Sequence, residues 1–446
     1  MMNEISKIVD SYRELILAAE RDLWKTPETG YREVKTSAYM AQKFRELGYE
    51  LTMAEGITGF FTVVDTGREG PEVLVLGELD SVICSAHPDA DFQTGAVHAC
   101  GHHAQCAALL GIAAALRDER VLAKLSGRIR LCAVPAEELL ELEFRAELKK
   151  QGKIKYFGGK SEFLSRGYFD GVDLALMVHT NSGGLIIEGG VGCIVKNITY
   201  RGKAAHAGGA PQNGRNALYA ANCGLNAVNA LRETFCEKDY IRVHPIITRG
   251  GDMVNAIPEI ITMESYVRGR SFEAMARENA KVNRALCGAA LSLGTHIEIH
   301  DIPGYSPLFN APSMIDVADE AIKLALPGVE CYRDDKYFST GSTDMGDLSA
   351  IMPVVHPYVG GASGTNHGND YEICDPELAC VGSAKWQLAM LLLLLGNGAS
   401  RAKKIVAEFE PTFPSIKEFL AYKDNLNRSG ERITYGEDGS AQVDWK

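Results

Sequence analysis

Residues 128–138 read RIRLCAVPAEE, in which a run of buried-strand type at 128–134 is followed by PAEE at 135–138, with two adjacent carboxylates. Comparable apolar runs predict three further buried strands, at residues 59–65, 72–79 and 172–178. Segments with helical periodicity precede them, at residues 4–24 and 34–47. This alternation of helices and buried strands predicts a layered α/β domain.

Polar side chains follow the ends of three of these predicted strands, namely Asp80, the pair Glu137 and Glu138, and His179. In layered α/β proteins the chemistry collects at the carboxyl ends of the strands. The four side chains are therefore candidate site residues on one edge of one sheet.

A second motif lies between two of these strands. Residues 98–103 read HACGHH, which places Cys100 and His102 on either side of a glycine. A thiolate and a neutral imidazole are good ligands for zinc or a neighbouring first-row ion, and a tight Cys-Gly-His turn lets both converge. Of the carboxylates Glu137 and Glu138, one can complete the ligand set while the other takes a proton from an attacking water. These residues predict a metal-dependent hydrolase.

The composition narrows the class of protein. The chain has 446 residues, a length for which two domains is the natural expectation. Its formal net charge of -12 disfavours nucleic acid and anionic membranes as partners, so an anionic substrate needs a specific arginine. The apolar run at residues 391–395 is far shorter than the roughly 20 residues that cross a bilayer, so it predicts a buried helix.

The cysteines and the N-terminal sequence indicate the cellular compartment. The eleven cysteines show no regular spacing, and the chain does not begin with a basic segment followed by an apolar run. We therefore expect no secreted disulfide framework and predict that the protein is cytoplasmic.

From residue 189 the pattern changes to strand 192–200, helix 214–231, strands 241–248 and 260–268, helix 272–293 and strand 295–301. This βαββαβ order predicts a ferredoxin-like domain at 189–303, with Asn213 as the N-cap of its first helix. It would be inserted into a catalytic domain formed by residues 1–188 plus 304–446. Two linkers, near Gly189 and Pro303, would let the insert move as a lid.

Further motifs accompany HACGHH and PAEE, in the order LWKTPETGY at 23–31, His179, AHAG at 205–208, NAIP at 255–258 and His367. Together they resemble the M20 metallopeptidase family. More narrowly they resemble its amidohydrolase branch, which includes aminoacylases, hippurate hydrolases, auxin-conjugate hydrolases and aminobenzoyl-glutamate hydrolases. Residues 342–347 (STDMGD) are most similar to the aminobenzoyl-glutamate hydrolase type. So many spaced motifs in the right order do not coincide by chance.

The resemblance implies a site for one or two divalent ions, Zn2+, Mn2+ or Co2+. Its metal ligands would be Cys100, His102, Glu138, His179 and His367. Glu137 would be the general base, and Asp80 would orient a ligand such as His102 through a hydrogen bond. Without the family, a lone histidine such as His179 or His367 is by default a hydrogen-bonded surface or core residue. Other branches carry a histidine ligand at the position of Glu78.

The resemblance also implies substrate contacts from the inserted lid domain. His206, in the AHAG motif, is similar to a histidine that reaches the active site of the partner subunit and donates to the oxyanion. The protein would then be a homodimer. Asn255 and Arg268 would bind a carboxylate or carbonyl of the substrate, a task that suits the planar fork of arginine. Arg270 shares the strand parity of Arg268 and is an alternative.

Two departures from the family's pattern bear on the substrate. His103 stands where relatives usually carry an aspartate, and this change is expected to alter the polarity around the ligands or a substrate contact. Relatives commonly continue with glycine after PAEE, whereas residues 139–159 form a longer segment here. We expect this insertion to reshape the pocket entrance.

These features predict a metal-dependent amidohydrolase that cleaves the amide of an N-acyl or N-aroyl amino acid. The alternative within enzymes of this kind is a metallo-dipeptidase or carboxypeptidase, which would require a free α-amino group. A metal-free cysteine hydrolase using Cys100 and His102 is disfavoured, because it leaves Glu137 and Glu138 without a purpose. A binding protein without catalysis is disfavoured because a structural metal site needs no base.

Overall fold

The computed structural model describes residues 2–445, which divide into two compact units. The first unit comprises the residues up to Gly189 together with Leu308–Ser339 and Thr343–Ile416. The second unit comprises Gly190–Pro307, Thr340–Ser342 and the residues from Lys417 onward. The sequence predicts the whole of 304–446 in the catalytic domain, so the structure differs chiefly in the C-terminal segment, which packs with the second unit.

A six-stranded sheet forms the centre of the first unit. Its strand order is Thr52–Met53, Phe60–Asp65, Arg128–Val134, Glu72–Glu78, Leu174–Leu176 and Val354–Val355. The last four strands are parallel, and the first two run antiparallel to their neighbours. Every residue of Glu72–Glu78 is buried, as expected of a parallel strand that is covered on both faces. The predicted α/β class is confirmed.

Helices pack on this sheet. The helix His102–Leu116 is apolar all round and entirely buried, which is typical of a helix inside a large core. It packs on the strand Glu72–Glu78. The other helices of the first unit are Met2–Ser11, Arg13–Trp24, Val34–Glu46, Glu119–Leu122, Leu142–Lys150, Gly159–Ser165, Pro312–Ala325, Met345–Ser349, Ser383–Leu395 and Ser400–Glu408.

One helical segment, Glu377–Leu395, has the length and composition of a membrane span, but 83% of its apolar window is buried inside the protein. Leu391 and Leu395 belong to the same apolar core as the helix His102–Leu116. The run at 391–395 therefore lies in a buried core helix, as the sequence predicts.

A smaller sheet in the first unit has the strand order Leu308–Phe309, Gly184–Gly190, Tyr358–Val359 and His179–Thr180, and Cys331–Ser339 also pairs with Gly184–Gly190. Tyr358 is the parallel partner of His179. The ring of Tyr358 lies 5.7 Å from the ring of His179, centroid to centroid, and so packs against this candidate ligand.

The second unit has the predicted βαββαβ order. Its helices, Ala217–Leu231 and Phe272–Ser292, pack on each other and on one antiparallel sheet. The sheet has the strand order Arg242–Val243, Ile260–Gly269, Gly192–Arg201, His296–Pro303 and Arg428–Glu431, with Ile246–Arg249 also paired to Ile260–Gly269.

Two local details of the second unit differ from the sequence predictions. The strand predicted at 241–248 is interrupted between Val243 and Ile246. The N-cap of the first helix is Asn216, whose Oδ1 accepts a hydrogen bond from the backbone N–H of Tyr219 at 3.1 Å. The predicted cap, Asn213, lies instead in a short turn of 3-10 helix. Both asparagines suit a cap, so residue type alone does not distinguish them.

The C-terminal segment completes the second unit. Its strand Arg428–Glu431 pairs antiparallel with His296–Pro303, and Ile433 is fully buried in the apolar cluster of this unit. In the preceding helix, Ile416–Leu426, the Lys423 ammonium donates to the carbonyl oxygen of Gly304 at 2.9 Å. These contacts account for the assignment of the segment to the second unit.

Candidate metal centre and active site

The candidate site residues of the first unit lie at the carboxyl ends of its parallel strands. Asp80 follows Glu72–Glu78, and the pair Glu137 and Glu138 follows Arg128–Val134. His179 follows Leu174–Leu176. Because parallel neighbours end at the same edge of a sheet, these polar groups converge.

Gly101 shapes the turn that leads into the helix His102–Leu116. Its φ is 83°, a left-handed conformation that glycine adopts without steric cost. A Cβ at this position would overlap the hydroxyl oxygens of Thr180 and Tyr371. The turn therefore needs glycine both for its backbone and for its space.

The imidazole of His102 is held through one nitrogen. Its Nδ1 lies 3.0 Å from the carbonyl oxygen of Asp80 and 3.1 Å from Oδ1 of the same residue. Its buried Nε2 makes no hydrogen bond within residues 2–445 and lies 3.2 Å from Oε2 of Glu78. An imidazole whose one nitrogen is fixed by a carbonyl and a carboxylate, with the other directed at further ligand-type groups, is typical of a metal ligand.

His179 is held in a similar way. Its Nδ1 lies 2.7 Å from the carbonyl oxygen of Thr180, and its Nε2 lies 3.5 Å from the sulfur of Cys100. His179 is 9% exposed, so this nitrogen is directed at Cys100 within the protein interior.

Glu138 and His367 form the third contact of the cluster. Nε2 of His367 lies 3.0 Å from Oε1 of Glu138. The backbone N–H of Glu138 donates to Oδ2 of Asp80 at 2.8 Å, and the backbone N–H of His367 donates to the carbonyl oxygen of Ala99 at 2.8 Å. Asp80 thus contacts two candidate ligand residues, one with each carboxylate oxygen.

The five predicted ligands come together as two groups that share one sulfur. In each group the ligand atoms lie within 4.8 Å of one another. A mixed set of sulfur, nitrogen and oxygen donors suits zinc and also accommodates cobalt or manganese. The residues therefore fit one or two divalent ions. The groups are Cys100 with His102 and His179, and Cys100 with Glu138 and His367.

The charges of this cluster favour a cation. Burial opposes ionisation of Cys100, but the imidazoles of His102 and His179 outweigh it and lower the pKa of the thiol to about 6. Hydrogen bonds to Cys100 and Glu138 raise the pKa of His367 to about 11. A divalent cation competes with the protons on such ligands, so acidification weakens metal binding at a site of this kind.

Glu137 belongs to a third group of close donors, with Glu78 and His102. It is 6% exposed. Burial raises the pKa of its carboxyl well above the ordinary value, and the charges of Glu78 and Glu138 raise it further. The two groups of predicted ligands do not use Glu137, so its carboxylate is available for proton transfer beside them.

Lys160 is a buried cation beside the site that no motif in the sequence predicts. Its ammonium lies 2.5 Å from Oε1 of Glu78 and also pairs with Asp344. Burial opposes its charge, but the carboxylates of Asp344 and Glu78 outweigh this effect and raise the pKa of Lys160. The pair joins residues 82 positions apart, and nothing in the polar sequence of the helix Gly159–Ser165 distinguishes Lys160 from a surface lysine.

His103 lies in a cluster of rings next to the HACGHH turn. Its Nε2 lies 3.4 Å from Oε1 of Glu20, and its ring packs 5.0 Å from the rings of both Trp24 and His98. Burial lowers the pKa of His103. These contacts tie the start of the helix His102–Leu116 to the helix Arg13–Trp24.

The predicted catalytic histidine of the second unit, His206, is exposed on a loop beside Asn255. The backbone N–H of Ala207 donates to the carbonyl oxygen of Asn255 at 2.9 Å. The backbone N–H groups of Gly208 and Gly209 donate to Nδ1 of His206, at 3.2 and 2.9 Å. In a neutral ring the proton must therefore be on Nε2, which makes that nitrogen a hydrogen-bond donor.

The two candidate arginines of the second unit have different surroundings. Nη1 of Arg268 lies 3.2 Å from Oγ of Ser342, and its guanidinium lies 5.5 Å from the ring centre of Tyr266. The guanidinium of Arg270 lies 5.9 Å from the ring centre of Tyr240. Arg268 is thus the arginine in contact with the start of the STDMGD motif.

Known proteins resemble this chain over most of its length. A Xaa-Arg dipeptidase of Mus musculus is 27% identical over 381 residues, covering 81% of this chain and 80% of the relative. An indole-3-acetyl-aspartic acid hydrolase of Enterobacter agglomerans is 25% identical over 381 residues, covering 73% of this chain and 82% of the relative.

Among solved structures, a dinuclear metal binding peptidase of the M20 family from Bacillus subtilis has the same fold. It superposes with a TM-score of 0.64 at 20% sequence identity, covering 86% of this chain and 99% of that chain. The sequence model of peptidase family M20/M25/M40 matches residues 74–391. This match confirms the predicted family and the predicted class of hydrolase. The chain belongs to peptidase family M20/M25/M40.

Proposed function

We propose that this protein is a metal-dependent amidohydrolase that cleaves the amide bond of N-acyl or N-aroyl amino acids. The observation that carries the proposal is Glu137, a buried carboxylate beside the ligand cluster that belongs to neither group of predicted ligands. A purely structural metal site needs no such residue. The name of the hydrolase from Enterobacter agglomerans, which describes an acyl amino acid, supports the substrate class.

The proposed mechanism assigns one task to each residue of the first unit. Cys100, His102, Glu138, His179 and His367 would hold one or two divalent ions, and Asp80 orients His102 and Glu138. The ions, when bound, polarise the scissile carbonyl and lower the pKa of the attacking water. Glu137 takes the proton of this water and delivers it to the leaving nitrogen, a role for which a raised pKa is suitable.

We further propose that His206 donates a hydrogen bond to the oxyanion in the active site of a partner subunit, so that the functional protein is a homodimer. The tautomer supports this role, because two backbone N–H groups occupy Nδ1 and leave the proton on Nε2. Donors aimed at the oxyanion are commonly among the largest contributions to amide hydrolysis.

Arg268 and Asn255 are the proposed binding residues for the substrate carboxylate. The contact between Arg268 and Ser342 supports Arg268 over Arg270, since it joins the arginine to the motif that resembles aminobenzoyl-glutamate hydrolases. An arginine also supplies the local positive charge that a chain of net charge -12 needs for an anionic substrate.

A dipeptidase is the second candidate function. The resemblance to a Xaa-Arg dipeptidase favours it, because that relative is named for an unblocked dipeptide. The same metal ligands and the same base would serve either substrate. The difference is whether the enzyme requires a free α-amino group or an acylated one.

The proposed location is the cytoplasm. No disulfide joins any of the eleven cysteines within the described residues. Reduced cysteines are usual in a reducing compartment.

The test is turnover of a substrate panel by the metal-loaded protein. The panel contains N-acetyl, N-benzoyl and aminobenzoyl amino acids and unblocked dipeptides, and release of free amine is measured. Glu137→Gln should lower kcat by about 100- to 10,000-fold while Co2+ binding persists. The matched control, Glu143→Gln, changes an exposed carboxylate six residues away and should keep full activity.

Each outcome of this test assigns the protein to a different class of enzyme. Turnover of blocked amino acids that stops with chelator and with Glu137→Gln supports the amidohydrolase. Turnover of unblocked dipeptides alone makes the protein a dipeptidase. Activity that survives complete metal removal but not loss of Cys100 contradicts the metal mechanism.

A further inference from the structure

Arg145 is a buried arginine within the insertion at 139–159. Arg145 is only 1% exposed. An arginine is rarely buried unless other groups pair with its charge and its hydrogen-bond donors. Nη1 donates to the carbonyl oxygen of Phe157 at 2.7 Å, and Nη2 donates to the carbonyl oxygen of Glu138. The guanidinium also lies 5.6 Å from the ring centre of Tyr31.

These two carbonyls belong to the two ends of the insertion. Glu138 is the residue before it, and Phe157 lies near its end, where the backbone N–H of Gly159 donates to the carbonyl oxygen of Ala136 at 3.1 Å. One guanidinium therefore closes the insertion on itself and ties it to the PAEE turn. The carbonyl of Glu138 also accepts from the backbone N–H of Leu140 at 2.9 Å, so it has two donors.

The PAEE turn has a backbone that requires support. Ala136 has a φ of 56°, a left-handed conformation that a residue with a side chain seldom adopts. Such a conformation persists where surrounding contacts hold it. The backbone N–H of Ala136 donates to Oε1 of Glu33 at 2.8 Å on the amino side of Glu137, and Arg145 holds the carbonyl of Glu138 on the other side.

The N-terminal motif packs closely against the same turn. A Cβ at Gly30 would overlap Nη2 of Arg145 and would lie 2.9 Å from Cα of Ala136. The hydroxyl of Tyr31 donates to the carbonyl oxygen of Tyr156, within the insertion, at 2.9 Å. The guanidinium of Arg145 is thus enclosed between the N-terminal motif at 23–31 and the turn, where it has little room to move.

We propose that Arg145 is a positioning residue for catalysis: by holding the carbonyl of Glu138, it fixes the turn that presents Glu137 and Glu138 in their working orientations. The insertion then contributes an internal brace of the active site, whatever else its exposed part does. This inference rests on the proposed roles of Glu137 as base and Glu138 as ligand. Small displacements of a base or ligand lower the rate strongly without abolishing substrate binding.

The experiment compares Arg145→Met with Arg32→Met in the full-length protein. Arg32 contacts the same insertion from its exposed side, through Glu141 at 3.3 Å and the ring of Phe144, and within residues 2–445 no hydrogen bond or ion pair joins its side chain to the turn. It is therefore a matched control for general loosening of the insertion. For each variant, kcat, KM and the Kd of Co2+ are measured, together with the absorption spectrum of the Co2+-loaded protein.

Arg145→Met should lower kcat by about 10- to 100-fold with KM changed by less than about twofold. It should weaken Co2+ binding by about tenfold and shift the Co2+ spectrum, because the orientation of one ligand has changed. Arg32→Met should match the wild type in all four measurements. Arg145→Lys, which keeps the charge but loses the fork that reaches two carbonyls, should fall between the wild type and Arg145→Met.

Wild-type kcat and wild-type Kd in a folded Arg145→Met protein would overturn the proposal. If Arg145→Met does not fold, Arg145→Lys decides, and a wild-type kcat and spectrum in that variant would overturn it equally. Equal losses in Arg145→Met and Arg32→Met would reduce the role to general support of the insertion. A wild-type protein that binds no Co2+ and turns over no substrate would instead remove the proposed function on which the inference depends.

Discussion

Glu33 accepts hydrogen bonds from the backbone N–H of Ala136 at 2.8 Å and from the hydroxyl of Thr58 at 2.6 Å, and it is fully buried. Burial raises the pKa of its carboxyl from 4.5 to about 8, and the charge of Asp80 contributes. The folded chain therefore binds the proton of Glu33 more tightly than the unfolded chain does. The protonation state of Glu33, which binds the backbone of the PAEE turn, is therefore coupled to folding.

The coupling predicts how stability changes with pH. Between pH 4.5 and 8 the unfolded chain releases the proton of Glu33 before the folded chain does, so this residue makes the free energy of unfolding fall as pH rises. Glu33→Gln removes the ionisation but keeps an amide oxygen for Ala136. We expect the variant to be more stable relative to the wild type at pH 8 than at pH 5. Urea unfolding with excess chelator at both pH values measures this, and an unchanged difference would contradict it.

At the scale of single residues, adjacency along the chain decided which parts of the site could be predicted. Cys100 and His102 are two positions apart, so residue type and spacing indicate a shared ligand site. The ion pair of Lys160 with Glu78 joins residues 82 positions apart, and the hydrogen bond of Arg145 to Glu138 depends on the path of the insertion. Neither contact has a pattern in the sequence that distinguishes it from an ordinary surface charge.

At the scale of secondary structure elements, the C-terminal strand Arg428–Glu431 changes the edge of the sheet in the second unit. It pairs along His296–Pro303, a strand of the second unit that would otherwise be at the edge of the sheet. An unpaired edge strand is a template for association with other chains, so the added strand also protects this edge.

Ile433 tests how strongly this segment is attached. Its side chain is fully buried in the apolar cluster of the second unit, so Ile433→Ala should lower the free energy of unfolding by about 2 to 5 kcal/mol. The neighbouring Thr434 is exposed, and Thr434→Ala should change it by less than about 0.5 kcal/mol. Urea unfolding followed by far-UV circular dichroism distinguishes the two. Equal and small effects would mean that the segment is only loosely attached.

The elements themselves were predictable to different degrees. The buried strand Arg128–Val134 has the predicted bounds, because the run is of strand length and Pro135 follows it directly. The tail helix and strand were not located, since the aromatic residues beyond residue 401 show no clear period and their partners lie more than a hundred residues earlier. The sequence prediction therefore placed the tail in the catalytic domain, whereas the residues from Lys417 onward pack with the second unit.

At the scale of the whole molecule, the proposed role of His206 predicts that active sites are completed by a second subunit. Two inactive variants, Glu137→Gln and His206→Asn, should then restore activity when their subunits are mixed and exchanged. In a mixed dimer one of the two sites has both native residues, so an equal mixture should recover about a quarter of wild-type activity. The measurement is amine release after mixing, with size-exclusion chromatography to establish the dimer.

Two results would contradict this prediction. A monomeric active protein would exclude sharing, and a dimeric mixture without recovery would mean that His206 acts within its own chain or not at all. Each variant incubated alone through the same exchange procedure is the control.

The order of the two units along the chain was predictable, because the period of the apolar pattern changes near residue 189 and changes back after residue 303. Their full membership was not predictable. Thr340–Ser342 belongs to the second unit although the residues on both sides belong to the first. Three residues are too few to carry a periodic pattern, and only packing in three dimensions assigns them.

Gly101 limits how this chain can diverge. Its left-handed backbone and the hydroxyl groups of Thr180 and Tyr371 leave no room for any other amino acid. Gly152, in the insertion, has a φ of 69° but nothing within 4 Å of the position of a Cβ. In the course of evolution, a substitution of Gly152 should therefore cost little stability. Any substitution of Gly101 should abolish activity. A library of natural or random variants should therefore retain only silent changes at position 101.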